Sequence, residues 1–285
     1  MKIIECPRDA MQGIDEFMPT ENKIRYLNQL LKVGFDTIDF GSFVSPKVIP
    51  QMKDTSTVYR GLELNDTRTK LLAIVANERG ARDASLFEKI DYLGFPLSIS
   101  ETFQRRNTNM SIDDAVMELE VIKRVCVSSS KKLVVYLSMG FGNPYGDPYD
   151  VAIVSSFTGR MIDLGADVIS IADTVGVASA THVADLFSTL IPQYPEFEIG
   201  VHLHARAGDA YEKVIAAYNA GCRRIDGALK GYGGCPMADD KLVGNIPTEI
   251  LISALDSIGA EVAIDRTALQ AALECASATF PSQHL

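Results

Sequence analysis

Short runs of β-branched and other apolar residues alternate along the chain with longer stretches whose apolar positions recur at helical spacing. The runs follow one another about every 30–35 residues, which is typical of repeated βα units. They predict eight strands, at Lys2–Cys6, Thr37–Phe40, Leu71–Ala76, Tyr92–Ile99, Leu133–Met139, Val168–Ala172, Glu198–His204 and Arg224–Gly227.

The stretches between the strands predict helices at Glu21–Val33, Pro46–Leu62, Arg79–Phe87, Ser111–Val127, Tyr149–Leu164, Ala180–Pro192, Gly208–Ala220 and Thr248–Ile258. Three of these helices run into a glycine, at Gly34, Gly165 and Gly221. Glycine supplies a left-handed C-cap there without steric cost.

Eight βα units in about 260 residues match the size of a (β/α)₈ TIM barrel. We therefore predict an α/β barrel as a single domain over residues 1–285, with C-terminal helices of about 247–280 packing on it. A doubly wound open sheet is the alternative, but no GxGxxG follows the first strand. A barrel places its active site at the C-terminal ends of the strands, so polar residues there are the candidates.

The composition of the chain argues against nucleic-acid and membrane partners. The 285 residues carry 27 basic and 37 acidic side chains, a net charge of −10 that argues against a nucleic-acid surface. The apolar runs are shorter than the roughly 20 residues that span a bilayer. The chain opens on the strand-like Met1–Ile4 without a long apolar signal segment. The cysteines are scattered without a CxxC spacing, at positions 6, 126, 222, 235 and 275. This pattern suits a reducing compartment, and we expect a cytoplasmic protein without a membrane partner.

The seventh predicted strand ends in Val201-His202-Leu203-His204. Residues two apart in a strand share a face, so both imidazoles point the same way. At this end of a barrel strand, such a pair favours a metal site over a structural role. Asp9, just after the first strand, is the natural carboxylate partner, although it could equally be a turn or cap residue. Its neighbour Arg8 is either a surface cation or a group that polarises a carbonyl oxygen.

The loop after the eighth strand, Gly231–Pro236, contains three glycines in four residues, a composition typical of loops that move over a substrate. Cys235 in this loop could donate a proton to a carbanion, or be incidental to a tight turn. Other strand ends carry Asp39 with Ser42, Asp173 with Thr174, and Asn143. Each carboxylate there is a catalytic candidate or a helix cap. The run Gln104-Arg105-Arg106-Asn107 is either a contact for an anionic substrate tail or a solvated loop.

These residues together resemble the 3-hydroxy-3-methylglutaryl-CoA lyases, within a group of TIM-barrel metallolyases that includes the isopropylmalate and citramalate synthases. The resemblance covers nearly the whole chain. Its segments are ECPRDAMQ (5–12), SFVSPKVIPQM (42–52), DTVGV (173–177), VHLH (201–204), GYGGCP (231–236) and Gly244-Asn245. The SFVSPK and GGCP segments distinguish the lyases from the synthases.

The resemblance implies an Mg²⁺ or Mn²⁺ site formed by Asp9, His202, His204 and Asn245. It implies a retro-Claisen cleavage of an acyl-CoA substrate, with Arg8 on the thioester carbonyl and enolate and Cys235 as the loop acid. His202 and Asp173 are the candidate bases for the substrate hydroxyl. Asp39, Ser42 and Asp173 surround its hydroxyl and carboxylate, and the further candidate substrate contacts are Gln12, Asn143, Arg106 and Asn107. A homodimer and a setting in leucine degradation also follow from the resemblance alone.

The sequence departs from the lyase pattern at three places. Asp39 stands where the lyases have glutamate, Ala205-Arg206-Ala207 replaces the usual acidic continuation after the histidines, and Met237–Val243 is bulkier and more acidic. The expected function is a divalent-metal-dependent carbon–carbon lyase acting on hydroxymethylglutaryl-CoA or a close 3-hydroxyacyl-CoA. The alternatives are a related aldolase or Claisen-condensing enzyme acting on 2-keto acids, and a barrel that binds metal or metabolite without turnover.

Overall fold

The computed structural model describes residues 1–206, 208–234 and 243–280. Eight parallel strands close into a barrel in chain order, and β1 pairs with both β2 and β8. This confirms the predicted (β/α)₈ TIM barrel. The strands are β1 (Lys2–Glu5), β2 (Thr37–Ser42), β3 (Lys70–Ile74), β4 (Ile90–Ser98), β5 (Lys132–Ser138), β6 (Val168–Ala172), β7 (Ile199–His202) and β8 (Arg224–Gly227).

Helices follow the strands and cover the outside of the barrel. They are α1 (Pro7–Gln12), α2 (Thr20–Leu31), α3 (Thr55–Arg60), α4 (Glu78–Ser85), α5 (Glu101–Thr108), α6 (Ile112–Ser128), α7 (Val151–Leu164), α8 (Ala180–Gln193), α9 (Ala210–Asn219), α10 (Thr248–Ser257) and α11 (Arg266–Thr279), with 3₁₀ turns at Pro50–Met52 and Leu229–Gly231. The three predicted C-cap glycines have positive φ: 81° at Gly34, 95° at Gly165 and 96° at Gly221. None of the helices in the described ranges is long and apolar enough to cross a membrane.

Two predictions about the helices were wrong. The helix expected over Pro46–Leu62 is a 3₁₀ turn followed by the short α3. The basic run containing Arg106 and Asn107, for which one interpretation was a solvated loop, lies within α5. The Ser100 side chain caps α5 by accepting the amide of Phe103. Both α5 and α1 have eight residues or fewer, too short to show a clear helical periodicity in the sequence.

The barrel interior is divided into an apolar and a polar side. Side chains of β3, β4, β5 and β6 form an apolar cluster separate from the core under the helices: Leu72, Ile74, Tyr92, Val134, Tyr136 and Val168. Charged and imidazole side chains buried inside the barrel instead lie on β2, β7 and β8, among them Asp39, His202, Arg224 and Asp226. These three strands therefore provide the charged and imidazole groups from which a site can be built.

Candidate active site

His204 follows β7 and presents one free ring nitrogen. Its Nδ1 lies 3.0 Å from the carbonyl oxygen of Thr174. A carbonyl only accepts hydrogen bonds, so Nδ1 carries the proton and Nε2 keeps a bare lone pair. That Nε2 is buried without a hydrogen-bond partner in the described structure. Burial lowers the pKa of His204 to about 4, so the ring is neutral and available as a metal ligand.

His202 is oriented by a carboxylate below it. Its Nδ1 lies 3.1 Å from Oδ2 of Asp226, which is buried on β8. Burial by itself lowers the pKa of His202, but the hydrogen bond and charge of Asp226 outweigh it, and the net shift is upward. A carboxylate on one ring nitrogen fixes the orientation of the imidazole and leaves Nε2 for a metal, as at many metal sites.

Asp9 and Asn245 complete the group. Ligand atoms of Asp9, His202 and His204 lie within 4.8 Å of one another. The Asn245 amide donates one hydrogen to Oδ2 of Asp9 at 2.8 Å and another to the carbonyl of Tyr232 at 2.9 Å. Because both amide hydrogens are used, Oδ1 is the free atom, and it is buried without a partner among the described residues. Burial raises the pKa of Asp9, but Arg8 and the two histidines hold it well below its usual range.

These donors fit a divalent cation. Two imidazole nitrogens, one ionised carboxylate and one amide oxygen are a mixed nitrogen and oxygen set that accommodates Mn²⁺ and, with added water, Mg²⁺. A buried lone pair without a partner is costly unless something binds it. The unpartnered Nε2 of His204 and Oδ1 of Asn245 are such atoms, and they belong to residues that the family resemblance implies as ligands.

Arg8 on α1 is held in place by three side chains. Its Nε and Nη2 donate to Oδ2 of Asp39 at 3.0 and 2.5 Å, and Nη1 donates to Asp9 at 2.8 Å and to Gln12 at 3.0 Å. Four of its five N–H groups are therefore engaged within the described structure, and one on Nη2 is left for a ligand. Gln12, predicted as a substrate contact, supports Arg8 here.

Asp39 lies at an irregularity of β2, where the pairing with β3 shifts register between Asp39 and Gly41. Such a bulge re-aims the local side chains, as often happens beside active sites. Oδ1 of Asp39 is buried without a partner in the described chain. Burial raises the pKa of Asp39 to about 6 even though Arg8 opposes the shift, so this carboxyl can exchange a proton near neutral pH.

Asp173 and Ser42 occupy the same end of the barrel but are already engaged. The Asp173 oxygens accept the amides of Val177 and Ala178 at 2.9 and 3.1 Å, and Nζ of buried Lys213 lies 4.0 Å away. Burial raises the pKa of Asp173. Oγ of Ser42 accepts the amide of Val44 at 3.1 Å. The catalytic role of Asp173 and the substrate contact of Ser42 stay predictions.

A second group lies at the ends of β4 and β5. The Arg106 guanidinium stacks over the ring of Tyr145, 4.7 Å from its centroid. Oδ1 of Asn143 accepts the amides of Tyr145 and Asp147 at 3.0 and 3.1 Å, and it shapes this loop. Asn107 is half-buried on α5. Among the described residues, the contacts of Arg106 and Asn143 lie within this group and do not reach the cluster around Asp9.

The glycines after β8 pack directly on the metal-site residues. A Cβ at Gly233 would lie 2.7 Å from Nδ2 of Asn245 and 2.9 Å from the carbonyl oxygen of Asp9, and its φ is +94°. Only glycine fits both the conformation and the space. Cys235, the predicted acid, lies outside the described residues.

Asp226 was missed by the sequence reasoning, although the sequence contains a signal for it. Arg224 and Asp226 stand two apart in a predicted strand, so two charged side chains share the barrel's interior face. Charged residues are rarely buried without a partner. Cys6, His202 and Asp226 also group closely enough for a metal, but burial raises the Cys6 thiol pKa well above its usual value, which disfavours the thiolate ligand.

Known proteins match the chain over most of its length. The family model described as HMGL-like matches residues 2–275. The chain is 32% identical over 267 residues to the cytoplasmic 3-hydroxy-3-methylglutaryl-CoA lyase of Danio rerio, covering 93% of this chain and 78% of that protein. It is 29% identical over 284 residues to the (R)-citramalyl-CoA lyase of Chloroflexus aurantiacus, covering 96% and 89%. An HMG-CoA lyase structure from Acinetobacter baumannii, in complex with coenzyme A and 3-methylmalate, matches with a TM-score of 0.90 and 31% identity, covering 98% and 90%.

Proposed function

We propose, from the premise that the chain belongs to the HMGL-like family and is a lyase of the hydroxymethylglutaryl-CoA lyase type, that it cleaves 3-hydroxy-3-methylglutaryl-CoA at a divalent-metal site. The products are acetyl-CoA and acetoacetate, and a close 3-hydroxyacyl-CoA is the nearest other substrate. The observation that carries the proposal is the pair of unpartnered buried donor atoms, Nε2 of His204 and Oδ1 of Asn245, beside an ionised Asp9.

Asp9, His202, His204 and Asn245 would hold Mg²⁺ or Mn²⁺. When bound, such an ion supplies Lewis-acid chemistry that lowers the pKa of a coordinated hydroxyl. The chain's own contribution is to keep the donors in place before substrate arrives. Asp226 and the Thr174 carbonyl orient the two rings, and Arg8 and Asn245 orient the Asp9 carboxylate.

The remaining steps belong to side chains around the cluster. Arg8 offers its free Nη2 hydrogen to the thioester oxygen and stabilises the enolate that forms when the carbon–carbon bond breaks. Its contacts with Asp39, Asp9 and Gln12 fix that donor in advance. Cys235 then gives its proton to the enolate carbon.

The candidate bases for the substrate's hydroxyl proton differ in whether they keep an atom that is free to accept it. Both oxygens of Asp173 already accept backbone amides, and Nε2 of His202 is a metal-ligand atom. Asp39 keeps an unpartnered oxygen and has a pKa of about 6. We therefore propose Asp39 as the base that accepts the hydroxyl proton, with His202 and Asp173 as the alternatives.

The acyl-CoA substrate class is supported by the coenzyme A in the matched Acinetobacter complex. Arg106, stacked on Tyr145 near Asn143, provides a cationic surface for the anionic part of such a substrate. A homodimer and a setting in leucine degradation remain proposals that rest on the family resemblance, and a cytoplasmic location remains one that rests on the cysteine pattern.

The test is a substrate panel with metal-stripped protein. It contains hydroxymethylglutaryl-CoA, citramalyl-CoA and a 4-hydroxy-2-keto acid without coenzyme A, each with and without added Mn²⁺. We expect acetoacetate from the first substrate, and only with Mn²⁺. Cleavage of citramalyl-CoA alone would indicate that the substrate carries another acyl group. The aspartate at position 39, shorter than the glutamate of the lyases, would explain that difference. Cleavage of the keto acid alone would support the aldolase alternative.

A further inference from the structure

Glu5 is a buried carboxyl that the proposed chemistry does not use. It ends β1, is 0% exposed, and lies four residues before Asp9. Its Oε1 accepts the amide of Leu229 at 2.8 Å, and its Oε2 accepts the Thr248 hydroxyl at 2.6 Å. Alternation along β1 places Glu5 on the outer face of the barrel with Ile3.

The two partners of Glu5 lie at the two ends of one chain segment. We call residues 229–248 the β8 connection, of which 229–234 and 243–248 are described. Its ends are also joined by backbone hydrogen bonds: the Ala228 amide donates to Ile246 at 3.0 Å, and the Thr248 amide donates to Ala228 at 3.1 Å. Glu5 thus fastens both ends of this segment to β1.

The β8 connection supplies the groups that contact Asp9. Asn245 lies within it and donates to Oδ2 of Asp9, and Gly233 packs against the Asp9 carbonyl. Asp9 itself is carried by α1, which begins two residues after Glu5. The separation of Asp9 and Asn245 therefore depends on how the β8 connection sits on the end of β1, where Glu5 makes its contacts.

An apolar side chain would fill this space without the cost of burying a carboxyl. The carboxyl of Glu5 instead makes two hydrogen bonds to one segment, which indicates that it positions that segment. We propose that Glu5 is a positioning residue that fixes Asn245 relative to Asp9 by fastening the β8 connection to β1. The inference rests on the proposed metal site. It requires hydrogen bonding but no negative charge, because a glutamine can accept from Leu229 and donate to the Thr248 oxygen.

The test titrates Mn²⁺ alone into metal-stripped protein and measures free Mn²⁺ by electron paramagnetic resonance. We expect Glu5→Ala to raise the Mn²⁺ Kd about 10-fold, near the lower limit for residues that support metal ligands. Glu5→Gln restores the wild-type Kd. Glu249→Gln is the control, since among the described residues Glu249 accepts the Lys230 amide alone, at one end of the same segment, and the Kd of this variant stays unchanged.

A double-mutant cycle separates positioning from general destabilisation. In an Asn245→Ala background, Glu5→Ala adds no further loss of Mn²⁺ affinity if Glu5 acts through Asn245. An equal loss in both backgrounds, or a wild-type Kd in Glu5→Ala, would overturn the role of Glu5. If Glu5→Ala does not fold, Thr248→Val removes one of the two contacts, and an unchanged Kd in that variant would also overturn it. A wild-type protein that binds no Mn²⁺ would instead contradict the proposed metal site itself.

Discussion

At the residue scale, the chemistry of the site is decided by which atoms are already hydrogen bonded. The Thr174 carbonyl and the Asp226 carboxylate each take the Nδ1 side of a histidine, and Tyr232 and Asp9 take both amide hydrogens of Asn245. The two histidines keep ligand atoms within 4.8 Å of Asp9, and Oδ1 of Asn245 is left unpartnered among the described residues. Neighbouring backbone and carboxylate groups therefore select the ligand atoms as much as the ligands' own identities do.

Cys235 gives a prediction that separates acid catalysis from metal binding. Cys235→Ser replaces a thiol by a much weaker acid, so kcat should fall about 10²–10⁴-fold, the usual contribution of a general acid. The Mn²⁺ Kd should not change, since the serine variant keeps every proposed ligand. The matched control is Cys275→Ser on α11, where the same exchange should leave kcat at the wild-type value. Unchanged turnover in the Cys235 variant would remove the thiol from the mechanism.

Single residues also mark the limit of prediction from sequence. Strand alternation alone placed His202 and His204 on one face, because the two positions are close in sequence. The contact between Asp9 and Asn245 spans 236 positions, and only the family resemblance brought them together. The hydrogen bonds of Asp226 and Glu5 join distant parts of the chain, so no local pattern could indicate their partners.

At the scale of elements, the short segments after the strands shape the site. The six-residue α1 carries Arg8, Asp9 and Gln12, and the glycine-rich start of the β8 connection packs against it. Periodicity predicted the strands well, since strands such as β3, β5 and β6 are short runs of mainly apolar residues. It missed α1 and α5 because these helices have too few turns to show a periodicity.

Gly233→Ala tests the contact between these elements. A methyl group there would press on Nδ2 of Asn245 and the Asp9 carbonyl while the backbone is held at φ +94°. We expect the Mn²⁺ Kd to rise about 10–100-fold, as when a ligand is misplaced. Gly13→Ala is the control, because Gly13 follows α1 with open space around its Cβ position and without a positive φ. Wild-type affinity in Gly233→Ala would mean that the glycines do not hold the ligand pair.

At the scale of the whole molecule, the barrel buries charged groups on the side where its first and last strands, β1 and β8, pair. Asp39, His202 and Asp226 are buried beside the site, and Glu5 is buried at the junction with the β8 connection. Such groups cost stability, and the cost depends on pH when the group titrates. Glu5 is the clearest case, because burial raises its pKa from 4.5 to about 8 despite the hydrogen bonds from Thr248 and Leu229.

The sign of this dependence gives a prediction for Glu5→Gln. The folded carboxyl keeps its proton at pH values where the unfolded one has lost it. Its contribution to stability is therefore fully present below about pH 4.5 and decreases as the pH rises to about 8. A glutamine cannot ionise. The variant should therefore gain stability over the wild type as the pH rises through this window, by the order of a few kcal/mol. Urea unfolding midpoints of both proteins at about pH 5, 6.5 and 8 measure this difference. Parallel pH profiles of the two proteins would contradict the prediction.

The central claim is that the Asp9, His202, His204 and Asn245 cluster binds the ion on which cleavage depends. The most direct measurement adds Mn²⁺ stepwise to stripped protein and follows bound Mn²⁺ and acetoacetate release from hydroxymethylglutaryl-CoA in the same samples. We predict that the rate rises in proportion to bound ion and saturates near about one ion per chain. His204→Ala should lose both signals, whereas His182→Ala, which changes a histidine bonded to Tyr149 outside the cluster, should keep both. Full cleavage by metal-free wild type, or by His204→Ala without bound ion, would contradict the account.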